Sequence, residues 1–239
     1  MSTLDVSDLG TILSLWAHPD DEGYGCGAIM ARAVRNGQRV VCVTATRGER
    51  GSTDESRWPN GPALAEVRTA ELDASLAVLG VSEHRWLDYP DGGCADVDRG
   101  EAVGRVRAII DEIKPDTILT FGPDGGTFHP DHITVSSWAS AAADGTSVRI
   151  LQATNTPEWM ARMDELVPGE LVMMGPGEPV VVPAEDCALY LQIGGDELEL
   201  KIEALQCMES QIGPMLALGG VDLFRELLAE EAYTDRRDV

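Results

Sequence analysis

Two short segments gather the residues able to do chemistry. "HPDDE" (18–22) and "HPDH" (129–132) offer His18, Asp20, Asp21, Glu22, His129, Asp131 and His132, including three of the four histidines in the chain. His18 and Asp21 stand three apart, as do His129 and His132, a spacing that can aim two side chains at one point across a tight turn. The proline inside each segment fixes φ and stiffens that turn. Asp20, Asp21 and Glu22 are adjacent like charges, which repel unless something positive sits among them. A divalent cation relieves the repulsion, and His, Asp and Glu are the donors of hydrolytic metal sites that keep one position open for water. The bland readings are dipole pairing at a helix start for the acidic run and surface decoration for an isolated HxxH. Two such motifs, each ending an apolar run, outweigh them. His84 has no such partner and reads as an ordinary surface or strand-edge residue.

The elements that must position these turns follow from hydrophobic patterning. "TILSLWA" (11–17), "VVCVTAT" (40–46), "HRWLDY" (84–89), "TILTF" (117–121) and "RILQAT" (149–154) are short runs that suit buried parallel strands. Helices are expected from Asp21 to Asn36-Gly37, over Ala63–Leu79, over Arg99–Ile113 and from His132 to Ala143, with Gly37 and Gly80 as stop signals. This alternation predicts an α/β fold, a Rossmann-like open and mostly parallel sheet with helices on both faces. Beyond residue 154 the chain is choppier, with prolines at 157, 168, 176, 179, 183 and 214 and a helix near Asp196–Gln211. The expectation is one domain spanning 1–239, with a core over 1–154 and residues 155–239 completing the edge. Ligands of such sheets gather at the carboxyl ends of the strands. Four loops therefore converge there, bringing His18, Glu49, Asp91 and the His129/His132 pair.

"GYGCGA" (23–28) matches a dinucleotide fingerprint, but its turn is filled by acidic HPDDE, which would repel a pyrophosphate. Close helix–sheet packing is the better use of these glycines. The net charge of −23 across 239 residues argues against nucleic acid and anionic membrane surfaces as partners. Five scattered cysteines without a CxxC pair argue against a thiolate metal site or a disulfide framework. No run approaches the roughly 18 apolar residues that cross a bilayer, and the first ten residues lack a signal-peptide pattern. The default address is cytoplasmic.

Taken together, "AHPDDE" (17–22) and "HPDH" (129–132) resemble the two signature motifs of the LmbE-like/PIG-L family of zinc-dependent N-deacetylases. "TRGERG" (46–51) is similar to its TxGExG segment and "RTAEL" (68–72) to its RxxEL segment, in matching order through about residue 145. "KIEALQCMESQ" (201–211) is similar to a helix in which many members read KxxALxxHxSQ, with Met208 at the histidine position. The resemblance implies His18, Asp21 and His132 as ligands of Zn2+, with Fe2+ and Co2+ also suited to such donors. It implies Asp20 as general base and a protonated His129 beside the developing oxyanion. It also places Arg68 and Asp91 against sugar hydroxyls, with Glu49 as a weaker contact or a loop brace. Arg68 could equally pair with Glu71 on a helix surface. Asp131 could orient a histidine or cap the next helix.

The expected activity is removal of an acetyl group from the N-acetyl amine of a GlcNAc-type sugar conjugate, a small-molecule substrate. Rivals are an amidase of the same mechanism on a thiol conjugate or other amide, a non-catalytic metal- or sugar-binding module, and a nucleotide-dependent oxidoreductase. A base beside the metal, Asp20, favours catalysis over binding. A homo-oligomer is compatible with the sequence and not required by it.

Overall fold

A computed structural model describes residues 3–167 and 172–236; Pro168 lies outside them. Continuous apolar runs become β1 (Ile12–Trp16) and β2 (Val40–Thr46), buried along their whole length. Next come β3 (Glu83–Tyr89), β4 (Thr117–Thr120) and β5 (Arg149–Thr154), with the shorter β6 (Leu189–Gln192) and β7 (Glu230–Asp235) further on. They form one seven-stranded sheet in the order β3-β2-β1-β4-β5-β7-β6. The first five strands are parallel, while β7 runs antiparallel to both β5 and β6. The expected open, mostly parallel sheet is therefore present, and residues beyond 154 extend its far edge.

The helices are α1 (Asp21–Arg35), α2 (Pro62–Leu79), α3 (Arg99–Ile113), α4 (Pro130–Ala143), α5 (Pro157–Leu166), α6 (Gly195–Gln206) and α7 (Glu209–Leu227). α1 and α2 pack with α6, and α3 packs with α4, so the two groups cover the two faces. Strand order reverses between β1 and β4, so the crevice beyond their carboxyl ends is where such a sheet receives a ligand. HPDDE leaves β1 and HPDH follows β4, on either side of it.

Two boundaries differ from expectation. α4 begins at Pro130, because His129 takes the N-cap and proline fits the first helical position. The helix expected over Asp196–Gln211 breaks at Cys207–Met208 into α6 and α7. The Ser210 N–H donates to Glu71 Oε1 of α2 (2.8 Å) and its hydroxyl to Oε2 (2.5 Å), so a tertiary partner replaces the helical one.

The glycines of "GYGCGA" serve packing. A Cβ at Gly25 would sit 2.7 Å from the Trp16 ring, and one at Gly23 would sit 2.7 Å from Leu205. No helix among the described residues is long and apolar enough to cross a membrane.

His84 lies on the edge strand β3, its Nε2 3.0 Å from Thr44 Oγ1 and its ring edge-on to Trp86. Burial, aided by the Arg47 charge, lowers its pKa from 6.5 to about 4. The unfolded chain thus binds this proton more readily than the native state, and His84 costs stability as pH falls from about 6.5 toward 4. Denaturant titrations of His84→Gln across that window are expected to show a shallower loss of stability than the native chain. Parallel curves would show that His84 is not the group responsible.

Candidate active site

The turn after β1 is closed by Asp21, whose Oδ2 accepts the His18 backbone N–H at 2.7 Å. Asp20 occupies the N-cap of α1 at φ 123°, a left-handed conformation that is costly for a residue with a side chain. Its carboxylate makes no capping hydrogen bond. Plain helix capping therefore does not explain Asp20. Across the crevice, His129 caps α4 by accepting the Asp131 N–H at Nδ1 (3.1 Å).

The two turns bring His18 Nδ1 within 3.1 Å of His132 Nε2. Asp21 joins them, with Oδ2 3.5 Å from His18 Nδ1 and Oδ1 3.3 Å from His132 Nε2. The other ring atoms fix the tautomers. His132 Nδ1 lies 3.0 Å from the carbonyl of Gly125, which only accepts, so Nδ1 carries the proton. His18 Nε2 lies 3.1 Å from Asp91 Oδ1 and 3.3 Å from Asp131 Oδ2, so it donates to carboxylates. His18 Nδ1, His132 Nε2 and the Asp21 carboxylate thus face one another across one small space. Donors about 2.0–2.2 Å from one tetrahedral ion stand roughly 3.3–3.6 Å apart. Two of the observed separations, 3.3 and 3.5 Å, fall in that range and the third, 3.1 Å, is slightly shorter, so the set fits a divalent cation.

The titration behaviour reports the same demand for positive charge. Burial opposes a charge on His18, yet Asp131, Asp21 and Asp91 outweigh it and raise its pKa well above the ordinary value. Burial would raise Asp21, but His132 and His18 hold it far below the usual carboxylate range. Burial lowers His132 to about 4 in spite of Asp21, leaving a neutral ring.

The expected roles sort by what each side chain touches. Asp131 is buried; Oδ2 accepts the Gly92 N–H (2.8 Å) besides facing His18, and Oδ1 accepts the Cys94 N–H (3.0 Å). It orients a histidine and does not cap α4. Asp91 places its second oxygen on the Arg50 N–H at 2.7 Å, so both oxygens are committed to protein. Glu49 accepts the Asp91 N–H at 2.9 Å and is not among the residues lining the cavity. It braces the loop. Arg68 is 3% exposed and donates to the carbonyls of Pro19 (2.6 Å) and Gly48 (3.0 Å), while Nη2 lies 3.3 Å from Asp20 Oδ2. The surface pair with Glu71 does not form, since Glu71 holds Ser210. Arg68 instead secures the HPDDE turn and the Asp20 carboxylate.

Burial raises Asp20 to about 7, opposed by the Arg68 charge. Glu22 is fully buried and burial raises it to about 8; Oε2 accepts the Asp20 N–H at 3.2 Å and Oε1 has no hydrogen-bond partner. For His129 the expectation of a protonated ring needs correction. Burial and the neighbouring His18 lower its pKa, and Nδ1 already accepts a backbone N–H. The ring is a neutral donor through Nε2–H.

These groups open into a cavity of about 670 Å³. His18, Asp20, Asp21, His129 and His132 line it, together with Arg50–Thr53, Asp91 and Gly92. Sequence reasoning missed the lining from α5, α7 and residues 172–174, because apolar helix residues carry no mark of facing a cavity. It also missed the carbonyl of Gly125, which sets the His132 tautomer. Met208 is 1% exposed at the α6–α7 junction and is not part of the lining. His84 lies outside it as well.

The family model described as "PIG-L: GlcNAc-PI de-N-acetylase" matches residues 13–143. The 1D-myo-inositol 2-acetamido-2-deoxy-alpha-D-glucopyranoside deacetylase of Kineococcus radiotolerans is 32% identical over 252 residues, covering 84% of this chain and 68% of that one. The 1D-myo-inositol 2-acetamido-2-deoxy-alpha-D-glucopyranoside deacetylase 2 of Catenulispora acidiphila is 39% identical over 160 residues, covering 57% of this chain and 52% of its own length. Among solved structures, the N,N'-diacetylchitobiose deacetylase from Pyrococcus horikoshii superposes with a TM-score of 0.64 at 21% identity, over 96% of this chain and 84% of that one. This last likeness concerns the fold.

Proposed function

The chain belongs to the PIG-L family, and on that premise we propose that it is a metal-dependent N-deacetylase acting on a GlcNAc-type sugar conjugate. The observation that carries this reading is the convergence of donor atoms of His18, Asp21 and His132 beside an Asp20 that makes no capping bond. His18, Asp21 and His132 hold the ion, which we take to be Zn2+. When bound, it supplies a Lewis acid that polarises the acetamide carbonyl and lowers the pKa of water.

The remaining work falls to the chain. Asp20 accepts a proton from water as the water oxygen bonds to the carbonyl carbon. Arg68 holds the Asp20 carboxylate in place, and burial sets its basicity near neutrality. Nε2–H of His129 donates to the carbonyl oxygen as negative charge develops there. When the C–N bond breaks, the proton held by Asp20 passes to the departing amine nitrogen, and acetate and the free amino sugar leave. Asp91 and Asp131 keep His18 Nε2 protonated and its Nδ1 turned to the ion.

Purified protein is expected to carry about one equivalent of zinc and to release acetate from N-acetylglucosaminides. Chelation should abolish release and added Zn2+ should restore it. Acetate release that persists in metal-stripped protein would overturn the metal-dependent reading.

A further inference from the structure

Phe121 directly follows β4, is 6% exposed and is one of the residues lining the cavity. Its ring lies almost parallel to that of His132, with centroids 4.2 Å apart and planes inclined by 10°. Trp16, which ends β1 and is 1% exposed, meets Phe121 edge-to-face at 4.7 Å and 87°. The backbone of Phe121 is fixed as well. Ser136 Oγ, one turn beyond His132 on α4, donates to the Phe121 carbonyl at 2.8 Å, and Gln152 Nε2 donates to that Oγ at 3.3 Å. The ladder Trp16–Phe121–His132 thus joins two adjacent strands to the helix that carries His132.

The hydrogen bonds of His132 act at its edge. Nδ1 lies 3.0 Å from the Gly125 carbonyl and 3.3 Å from the Thr127 hydroxyl oxygen. Gly125 has φ 72°, and a Cβ there would come within 2.8 Å of the His132 Cβ, so the carbonyl reaches this ring only from a glycine. Such bonds set the tautomer, but contacts at one ring atom do not by themselves define the plane of the ring. The face of Phe121 does, and it keeps Nε2 turned to Asp21 Oδ1, 3.3 Å away.

An aromatic face is negative, so it attracts a ring that has given up electron density. An imidazole gives up density when its lone pair binds a divalent cation. We propose that Phe121 is a positioning residue of the metal centre: its stacked face orients His132 and favours the metal-loaded imidazole over the empty one. The proposal rests on the metal-dependent reading for the ion and on the ring geometry for the role of Phe121.

Zinc affinity measured by competition with a chromophoric chelator tests this directly, first with a trifluorinated phenylalanine in place of Phe121. Fluorination keeps the shape of the ring and drains its face of negative charge, so the metal-stripped protein should unfold at the native denaturant midpoint. Affinity is expected to fall about threefold on fluorination and at least roughly fivefold in Phe121→Leu, within the range open to a cation–π contact. The visible absorption band of cobalt-loaded Phe121→Leu is expected to shift as the imidazole turns. Trp138 is a buried aromatic on the same helix that packs on Tyr89, and Trp138→Phe should keep the native affinity and band. Unchanged zinc affinity on fluorination or in Phe121→Leu, or an equal loss in Trp138→Phe, would overturn the role of Phe121. Native protein that binds no zinc would instead sink the metal-dependent reading.

Discussion

Replacing Asp20 by Asn is expected to leave bound metal unchanged while acetate release falls at least about a hundredfold, the usual cost of losing a general base. The substitution keeps size and shape and removes only the capacity to accept a proton. Asparagine tolerates positive φ as well as aspartate does, so the turn at φ 123° is retained. Arg68, 3.3 Å away, can still be met by the amide oxygen. The ion is held by other residues, so metal content separates a base from a ligand. Loss of metal from Asp20→Asn would make Asp20 a ligand, and undiminished turnover would remove it from the chemistry. The fall should appear in kcat with KM little changed, because a proton acceptor acts in the transition state more than in binding.

The parts of this site that could be read from sequence share a physical cause. Buried parallel strands are continuous apolar runs, so β1, β2 and β4 announce themselves, and the sheet rule then carries their loops to one edge. Motifs that end such strands are legible because position along the chain already implies position in space. Partner choice is less legible. Arg68 sits three residues from Glu71 on α2, and sequence spacing offered that pair, yet the guanidinium turns inward to Pro19 and Gly48. Asp91 was expected against a substrate, and one of its oxygens also lies 3.1 Å from Nε2 of the buried His18, a contact the spacing did not suggest. Both outcomes depend on burial, which a linear pattern reports only weakly for charged residues. The break between α6 and α7 was invisible for a related reason. No glycine or proline marks Cys207–Met208, and the helix is interrupted by a hydrogen bond to a helix more than a hundred residues away.

The charged residue hardest to place from sequence is Glu231, in a polar-looking "EEAYTD" near the end of the chain. It is 3% exposed on β7, and its oxygens accept the N–H groups of Ala28 and Ile29, both at 2.9 Å. Those donors are freed because α1 departs from helical geometry at Cys26, where φ is −147°. Glu231 in effect caps a second helix start, and Lys201 Nζ of α6 completes the arrangement 2.8 Å from Oε1. Burial pushes Glu231 above the ordinary carboxylate range and Lys201 pulls it back. The motif lysine of "KIEALQ" is therefore a structural cation that ties α6 and β7 to the helix carrying Asp21. Lys201→Met keeps the apolar stem and leaves a buried carboxylate without its counter-charge. The expected loss is about 3–5 kcal/mol of unfolding free energy, measured by denaturant titration at fixed saturating metal. Adding Glu231→Gln should restore part of that loss, because the amide oxygen still accepts a backbone N–H and no charge remains to be buried. The coupling between the two sites should then exceed roughly 1 kcal/mol. A Lys201→Met loss below about 1 kcal/mol, or strictly additive changes, would show that the pair does not hold α1 in place.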